Sequence, residues 1–251
     1  MFRSYSRRLR QGISSVRWST LNFAPSLFRP KVASVQWIGY IATALAAYLL
    51  GSVPTGYLVG RARGVDIRTV GSGNIGATNV FRALGRAAGI LVLVVDAAKG
   101  YAACAVLAPL LAGLTSAGVA EGTAAADAFR ILAGISVILG HNYSCWLRFK
   151  GGKGVATTAG VLLAWFPMAF AIALAVWLVV FLLSRIVSLA SIVAAVALPV
   201  SVGCSGGGLR WVVVSALLGL LAIYTHRSNI RRLLDGTEHR FGRKTPSDNT
   251  P

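Results

Sequence analysis

After Val35 the sequence is a succession of long apolar runs separated by short polar connectors. The runs VQWIGYIATALAAYLLGSVPTGYLVG, from Val35, and AAGILVLVVDAAKGYAACAVLAPLLAGL, from Ala87, each reach the ~20 residues a helix needs to cross the hydrocarbon core of a bilayer. Further apolar blocks occupy about 128–147, 155–183, 186–204 and 211–225. The pattern predicts an all-α polytopic membrane protein whose first spans lie at about 35–59, 88–113 and 128–147.

The connectors set the expected topology, because Lys and Arg collect on the cytoplasmic side. Residues 61–86 carry Arg61, Arg63, Arg68, Arg82 and Arg86 against Asp66. The strip LRFKGGKG carries Arg148, Lys150 and Lys153, and Arg227, Arg231, Arg232, Arg240, Arg243 and Lys244 follow Tyr224. These three segments are expected inside, and the connector around Glu121 and Asp127 outside. Returning the tail to the inside needs an even number of crossings after LRFKGGKG, so the block 155–183 must cross twice. Pro167 divides it into two helices of roughly 15 residues each, short for a span but tolerable beside other helices or in a thinned bilayer. The expectation is about seven transmembrane helices, two of them short, with the N-terminus outside, the C-terminus cytoplasmic and the polar motifs on the cytoplasmic face.

Composition agrees with a membrane protein: of 251 residues, 55% are hydrophobic and only 13% charged, and the mean hydropathy is +0.68. The net charge of +18 lies in blocks flanking the apolar runs rather than on one soluble surface. It therefore points to membrane lipid and an anionic substrate, and no nucleic-acid partner is expected. Cys104, Cys145 and Cys204 are odd in number and lack metal-ligand spacing, so they read as packing residues, and neither a metal nor a cofactor is called for. Residues 1–34 form a basic, acid-free extension, open to reading as a cleaved transit peptide, a surface tail or a misassigned start. The expected division is this extension, a single transmembrane domain over 35–238 and a polar tail over 239–251.

Three polar motifs interrupt this pattern. The first, VGSGNIGATNVFRALGR, holds G-x-G-x-x-G from Gly71 to Gly76. A dinucleotide fingerprint needs a preceding strand, and here an apolar helix and a basic loop precede, so that reading fails on context. A glycine-rich turn explains the glycines but leaves Ser72, Asn74, Asn79 and Arg82 without a purpose. Polar side chains converging on the start of the ATNVFRALG helix can cap it or hold an anion, with Arg82 supplying charge. The second motif, GHNYSCWLRFKGGKGVATTAG, brackets Gly151 and Gly152 with Lys150 and Lys153, followed by Gly154. It lacks the first glycine and the Ser/Thr of a Walker A loop, yet a glycine-permitted nest with lysine suits a smaller phosphate. The bland reading makes both lysines topology anchors. In the third, YTHRSNIRRLLDGTEHRFG, His226, Asn229 and Arg232 share one helical face. Asp96 and Lys99, one turn apart inside an apolar span, read as a structural ion pair that can underlie the site. Ser188 and Ser191 are weaker candidates for phosphate contact.

In order and spacing, GSGNIGATNVFRALG, GHNYSCWLRFKGGKGVAT and THRSNIRRLLDGTE, with GSVPTGYLVG and DAAKG around the first, resemble the motifs of the bacterial acyl-phosphate:glycerol-3-phosphate acyltransferase family (PlsY). The resemblance spans about Gly51 to Glu238 and departs at Ser144, where the family usually has proline. It implies an enzyme of the bacterial cytoplasmic (inner) membrane that moves the acyl group of acyl phosphate to the 1-hydroxyl of glycerol 3-phosphate, giving lysophosphatidic acid and phosphate for phospholipid synthesis. It also implies a functional link to a soluble acyl-phosphate-forming enzyme of the PlsX type. Carried over by position, His226, Asn229, Ser72 and Arg82 become the catalytic group. Asn74, Arg82, Lys150, Gly151, Gly152, Lys153 and Gly154 become phosphate ligands, joined by Ser188 and Ser191, and Glu238 becomes a supporting residue.

The H-x-x-x-x-D arrangement of many glycerolipid acyltransferases is absent, since Trp146, Arg231 and Lys244 stand five residues after the three histidines. An acyl phosphate is already activated, so positioning and charge neutralisation can supply most of the rate, with His226 or the leaving phosphate taking the hydroxyl proton. The competing classes are a transporter of small organophosphates, which predicts inverted repeats and polar residues at mid-bilayer, and a lipid-binding scaffold without chemistry.

Overall fold

The computed structural model describes residues 29–115 and 119–242, with backbone alone for 29–35. The head up to residue 28 and the tail from 243 lie outside the described residues. The described chain is helical: α1 (Arg29–Ser52), α2 (Thr55–Ala62), α3 (Ala77–Leu84), α4 (Arg86–Ala102), a π-helical turn (Ala103–Leu107), α5 (Ala108–Thr115), α6 (Ala124–Asn142), α7 (Val155–Trp165), α8 (Pro167–Ser184), α9 (Val187–Cys204), α10 (Leu209–Thr225) and α11 (Arg227–Leu234).

Five segments are long and apolar enough to cross a bilayer, and six if α10 and α11, bent by 59°, count as one span. The first helix starts at Arg29, ahead of the expected boundary at Val35, and it is interrupted between Ser52 and Thr55 at Pro54, although Gln36–Ala62 remains one apolar segment long enough to cross. The break expected in 155–183 is present. Phe166 is extended at φ −143° and Pro167 occupies the first turn of α8, because proline disfavours helix in the residue before it. The two halves are unequal rather than about 15 residues each: α7 has 11 residues and α8 has 18. At 1.5 Å per residue α7 reaches only about 16 Å, against a hydrocarbon core of ~30 Å.

Between helices in lipid, close approach and dispersion replace the hydrophobic driving force, so small residues mark the crossings. A Cβ on Gly51 of α1 would run into the Val137 carbonyl of α6, and one on Gly140 into the Tyr48 carbonyl. Gly100 of α4 and Gly160 of α7 are pressed in the same reciprocal way against the Thr157 and Ala97 carbonyls. The core between the helices holds Phe129, Val137 and Val161, with Trp165 and Trp211 edge to face at 5.0 Å. A second small core of Ile67, Ile75, Val80, Val92 and Leu147 seats the connector between α2 and α4 on the end of the bundle. That end carries the site.

Candidate active site

The glycine-rich loop before α3 owes its shape to Asn79. Its buried side chain accepts from the Ser72 N–H at 2.9 Å and donates to the carbonyls of Ile67 and Val70 at 3.1 and 3.0 Å. Gly71 and Gly73 take φ of +58° and +69°, a region open chiefly to glycine. Asn74 accepts from the Gly76 N–H at 3.0 Å, closing the loop onto α3. Gly76 itself is the N-cap, without a side-chain bond, so neither Ser72 nor Asn74 caps the helix. Both line a cavity of about 160 Å³ together with Gly76, Ala77 and Thr78 at the start of α3.

The second motif enters the same cavity through Lys153 and Gly154. Gly154 is left-handed at φ +77° and opens α7. Gly151 and Gly152 serve the fold instead of a phosphate: their N–H groups donate to the Asn142 and His141 carbonyls at 3.0 Å each. A Cβ on Gly152 would collide with the His141 ring, so the loop can reach Lys153 only by passing flat over that imidazole. Lys150 is exposed and lies outside the cavity lining. Two consecutive left-handed residues, Arg148 and Phe149, turn the chain outward just before it, which leaves its ammonium the role of a surface base. Ser144 sits at φ −60° and ψ 124°, a backbone that proline also adopts, and its hydroxyl donates to the Ser52 carbonyl at 2.6 Å. The bend after His141 therefore survives the departure from proline.

The third motif completes the cavity. The Asn229 carbonyl oxygen accepts from the Lys153 ammonium, while its amide donates to Glu238 Oε1 at 2.7 Å. Glu238 also accepts from Ser188 Oγ at 2.8 Å and from Arg232 Nε at 2.7 Å. Burial alone would push the Glu238 carboxyl up, but these hydrogen bonds and the Arg232 charge hold it below its usual value. His226, 3% exposed, stands where α10 meets α11. Its Nδ1 lies 2.7 Å from the Ala222 carbonyl, an acceptor only, so Nδ1 carries the proton and Nε2 keeps its lone pair. Burial, with the nearby Lys153 charge, pushes its pKa down to about 4, so the ring is neutral at physiological pH. Burial likewise pushes Lys153 down to about 8, helped by Arg232 and Arg82.

Under the cavity, Asp96 pairs with Lys99 at 2.8 Å, accepts from Thr55 Oγ1 at 3.0 Å and lies 3.6 Å from His141 Nδ1. Ser191 lines the wall, where it accepts from Trp177 Nε1 at 3.1 Å and donates to the Val187 carbonyl at 2.8 Å. The charge balance is informative. Glu238 is matched by Arg232 and Asp96 by Lys99, so among the described residues Arg82 and Lys153 are the cavity cations left without a carboxylate. A doubly negative phosphate monoester would balance them.

An apolar cavity of about 250 Å³, bounded by α7, α8, α9 and α10, adjoins the polar one, and Leu93, Val155, Ala156, Trp177 and Ser191 belong to both walls. The sequence motifs did not indicate Trp177 or the apolar compartment, whose lining is indistinguishable from lipid-facing residues in a linear reading. In the sequence His141 is legible as a motif residue without a role, Asn79 only as one of several capping or anion-holding side chains and Arg232 only as part of a polar helical face. Among the described residues no group of three His, Cys, Asp or Glu side chains comes together to hold a metal.

The model for the family described as glycerol-3-phosphate acyltransferase matches residues 41–236. A glycerol-3-phosphate acyltransferase of Synechococcus sp. (strain JA-3-3Ab) is 46% identical over 83% of this chain and 96% of its own. One from Geobacter metallireducens is 51% identical over 78% of this chain and 94% of its own. Among solved structures, that of PlsY (YgiH), an integral membrane glycerol 3-phosphate acyltransferase in its glycerol 3-phosphate form, superposes with a TM-score of 0.71 at 40% identity, covering 81% of this chain and 96% of that one. Its lysophosphatidic acid form gives 0.69 at 39% identity, with 81% and 95% covered.

Proposed function

Since the chain belongs to the glycerol-3-phosphate acyltransferase family and is an integral membrane enzyme that acylates glycerol 3-phosphate, we propose that its donor is acyl phosphate and its products are lysophosphatidic acid and inorganic phosphate. The observation that carries this reading is the pair of adjoining cavities, one polar and cationic, the other apolar, with a common wall at Trp177 and Ser191. A mixed anhydride of a fatty acid and phosphate needs just such a junction at its carbonyl carbon, and its leaving group is the type of anion the polar side is built to hold.

In the proposed mechanism Arg82 and Lys153 bind the glycerol 3-phosphate dianion, while Ser72, Asn74 and the start of α3 offer donors to the phosphate of the donor. The acyl chain lies in the apolar compartment. The 1-hydroxyl oxygen attacks the acyl carbon, the carbon–oxygen bond to phosphate breaks, and the hydroxyl proton passes to a phosphate oxygen. His226 is neutral, with Nδ1 donating to the Ala222 carbonyl and Nε2 free, so in this mechanism it serves as an acceptor for the hydroxyl rather than as a charged group. It accepts the hydroxyl hydrogen bond and aims the oxygen. Asn229 fixes Lys153, and Glu238 fixes Asn229. Purified protein given acyl phosphate and glycerol 3-phosphate is expected to release lysophosphatidate and phosphate in equal amounts. Equally fast turnover with acyl-CoA as the only donor would overturn the assignment.

The proposed topology is seven crossings, with α7 and α8 leaving and regaining the cavity end, the N-terminus outside and the C-terminus in the cytoplasm of a bacterial inner membrane. The proposed domain is wider at both ends than the expected 35–238, because α1 starts at Arg29 and the chain still packs on the helices at Phe241. A supply of donor from a soluble acyl-phosphate-forming enzyme follows from the same reading. The turn between α8 and α9 is the sensitive point, because Ser188 and Glu238 meet beside it. A cysteine placed at Ser184 is expected to react with impermeant reagent only from the cytoplasmic side, and labelling from outside alone refutes the two crossings assigned to α7 and α8.

A further inference from the structure

Beyond Gly236, where the match to the family ends, the chain does not leave the site. Gly236 at φ +70° reverses it after α11, Glu238 and His239 line the polar cavity, and the Phe241 N–H donates to the Arg185 carbonyl at 2.8 Å, on the turn after α8. The Phe241 ring then sits between two helices. Its centroid is 5.5 Å from that of Phe81 on α3 and 5.6 Å from that of Phe181 on α8. The Arg82 guanidinium carbon lies 5.4 Å from the same centroid, within the reach of a cation–π attraction.

We infer that Phe241 is a positioning residue for glycerol 3-phosphate binding, holding the Arg82 guanidinium over the cavity and tying α3 to the wall between the two compartments. Arg82 is exposed and sits on the cavity rim. A long side chain there has many rotamers to lose when it takes a phosphate, and a partner that orders it beforehand lowers that cost. The aromatic face is well suited to this, since it attracts the cation without neutralising it, whereas a carboxylate would compete with the substrate. The contact continues inward. Phe181 stacks on Trp177 at 5.0 Å with an interplanar angle of 21°, and Trp177 donates to Ser191 on the shared wall. One side chain thus joins the rim that holds the phosphate to the wall beside the acyl compartment.

The inference rests on the assignment of the polar cavity to glycerol 3-phosphate, so the test measures binding of that compound to detergent-purified protein without donor. Phe241→Ala is expected to weaken binding by about two- to fivefold, the range of an exposed cation–π contact, with the thermal transition of the protein within a few degrees of wild type. Phe241→Tyr, which keeps the ring, recovers most of the loss. In turnover the Phe241→Ala deficit appears in KM for glycerol 3-phosphate and is small in kcat. Wild-type affinity in Phe241→Ala overturns the inference while leaving the cavity assignment intact. Wild-type affinity in Lys153→Ala removes the cavity assignment itself and the inference with it.

Discussion

Lys153→Ala is expected to lower kcat/KM for glycerol 3-phosphate by about 10²- to 10³-fold, since truncating one partner of a largely desolvated charge pair costs about 2–5 kcal/mol. Lys153 is held by Asn229 and faces Arg82 and Arg232, so the free protein keeps three cations close together against the Glu238 carboxylate. Their mutual repulsion, added to burial, is why the ammonium loses its proton near pH 8 rather than above 10. A bound dianion reverses that pressure and raises the pKa, which means that binding takes up a proton when the pH is above about 8. Affinity is therefore expected to be highest below that pH and to fall as the pH rises through it. On the acid side it falls as the phosphate monoester gains its second proton near pH ~6. Lys153→Arg should move the alkaline limb to higher pH, because guanidinium stays charged, even if its geometry costs turnover. Measuring kcat/KM against pH for both proteins checks the sign. An alkaline limb that stays in place in Lys153→Arg would show that another group sets it.

Much of the architecture was legible in the sequence because a bilayer constrains it so strongly. Apolar length alone marks the spans, and Pro167 breaks the block 155–183 whatever surrounds it. The unequal halves follow from counting: α7 starts only at Val155, after the left-handed Gly154, so few residues remain before the proline. The site was legible as three motifs but not as a division of labour within them. Lys150 and Lys153 look alike on the page, and only the left-handed turn at Arg148 and Phe149 directs the first away from the cavity. Gly151 and Gly152 look like a phosphate nest, and only the closeness of His141 shows that they are flat in order to pass an imidazole. Ser188 is a plausible phosphate donor by position, yet its hydroxyl hydrogen is already given to Glu238. Phe241 stood at the end of the third motif without a role, because an aromatic among bases has meaning only once the chain is seen to fold back.

Asp96→Ala is expected to destabilise the protein by about 3–5 kcal/mol, the cost of leaving a buried charge without its partner. Asp96 and Lys99 are 2% and 6% exposed, and Lys99 has as its other acceptor the Val53 carbonyl at 3.0 Å, at the break between α1 and α2. Asp96 in turn receives Thr55 from the start of α2 and approaches His141 at the end of α6. Removing the carboxylate thus releases two segments, the start of α2 and the end of α6, and strands an ammonium beneath the cavity. A buried ion pair is, however, weak evidence of net stabilisation, since both charges pay for desolvation before they attract. Removing Lys99 as well eliminates the stranded charge, so the double variant Asp96→Ala with Lys99→Ala is expected to be more stable than Asp96→Ala alone. Thermal unfolding of the four proteins in one detergent gives the coupling directly. Equal destabilisation in the single and double variants would mean that the carboxylate matters through Thr55 and His141 rather than through the lysine. The two cases also differ in activity. If the pair exists to hold the floor of the site, the double variant should remain folded yet acylate slowly, because the carboxylate beside the His141 ring, over which the Lys153 loop passes, is then gone.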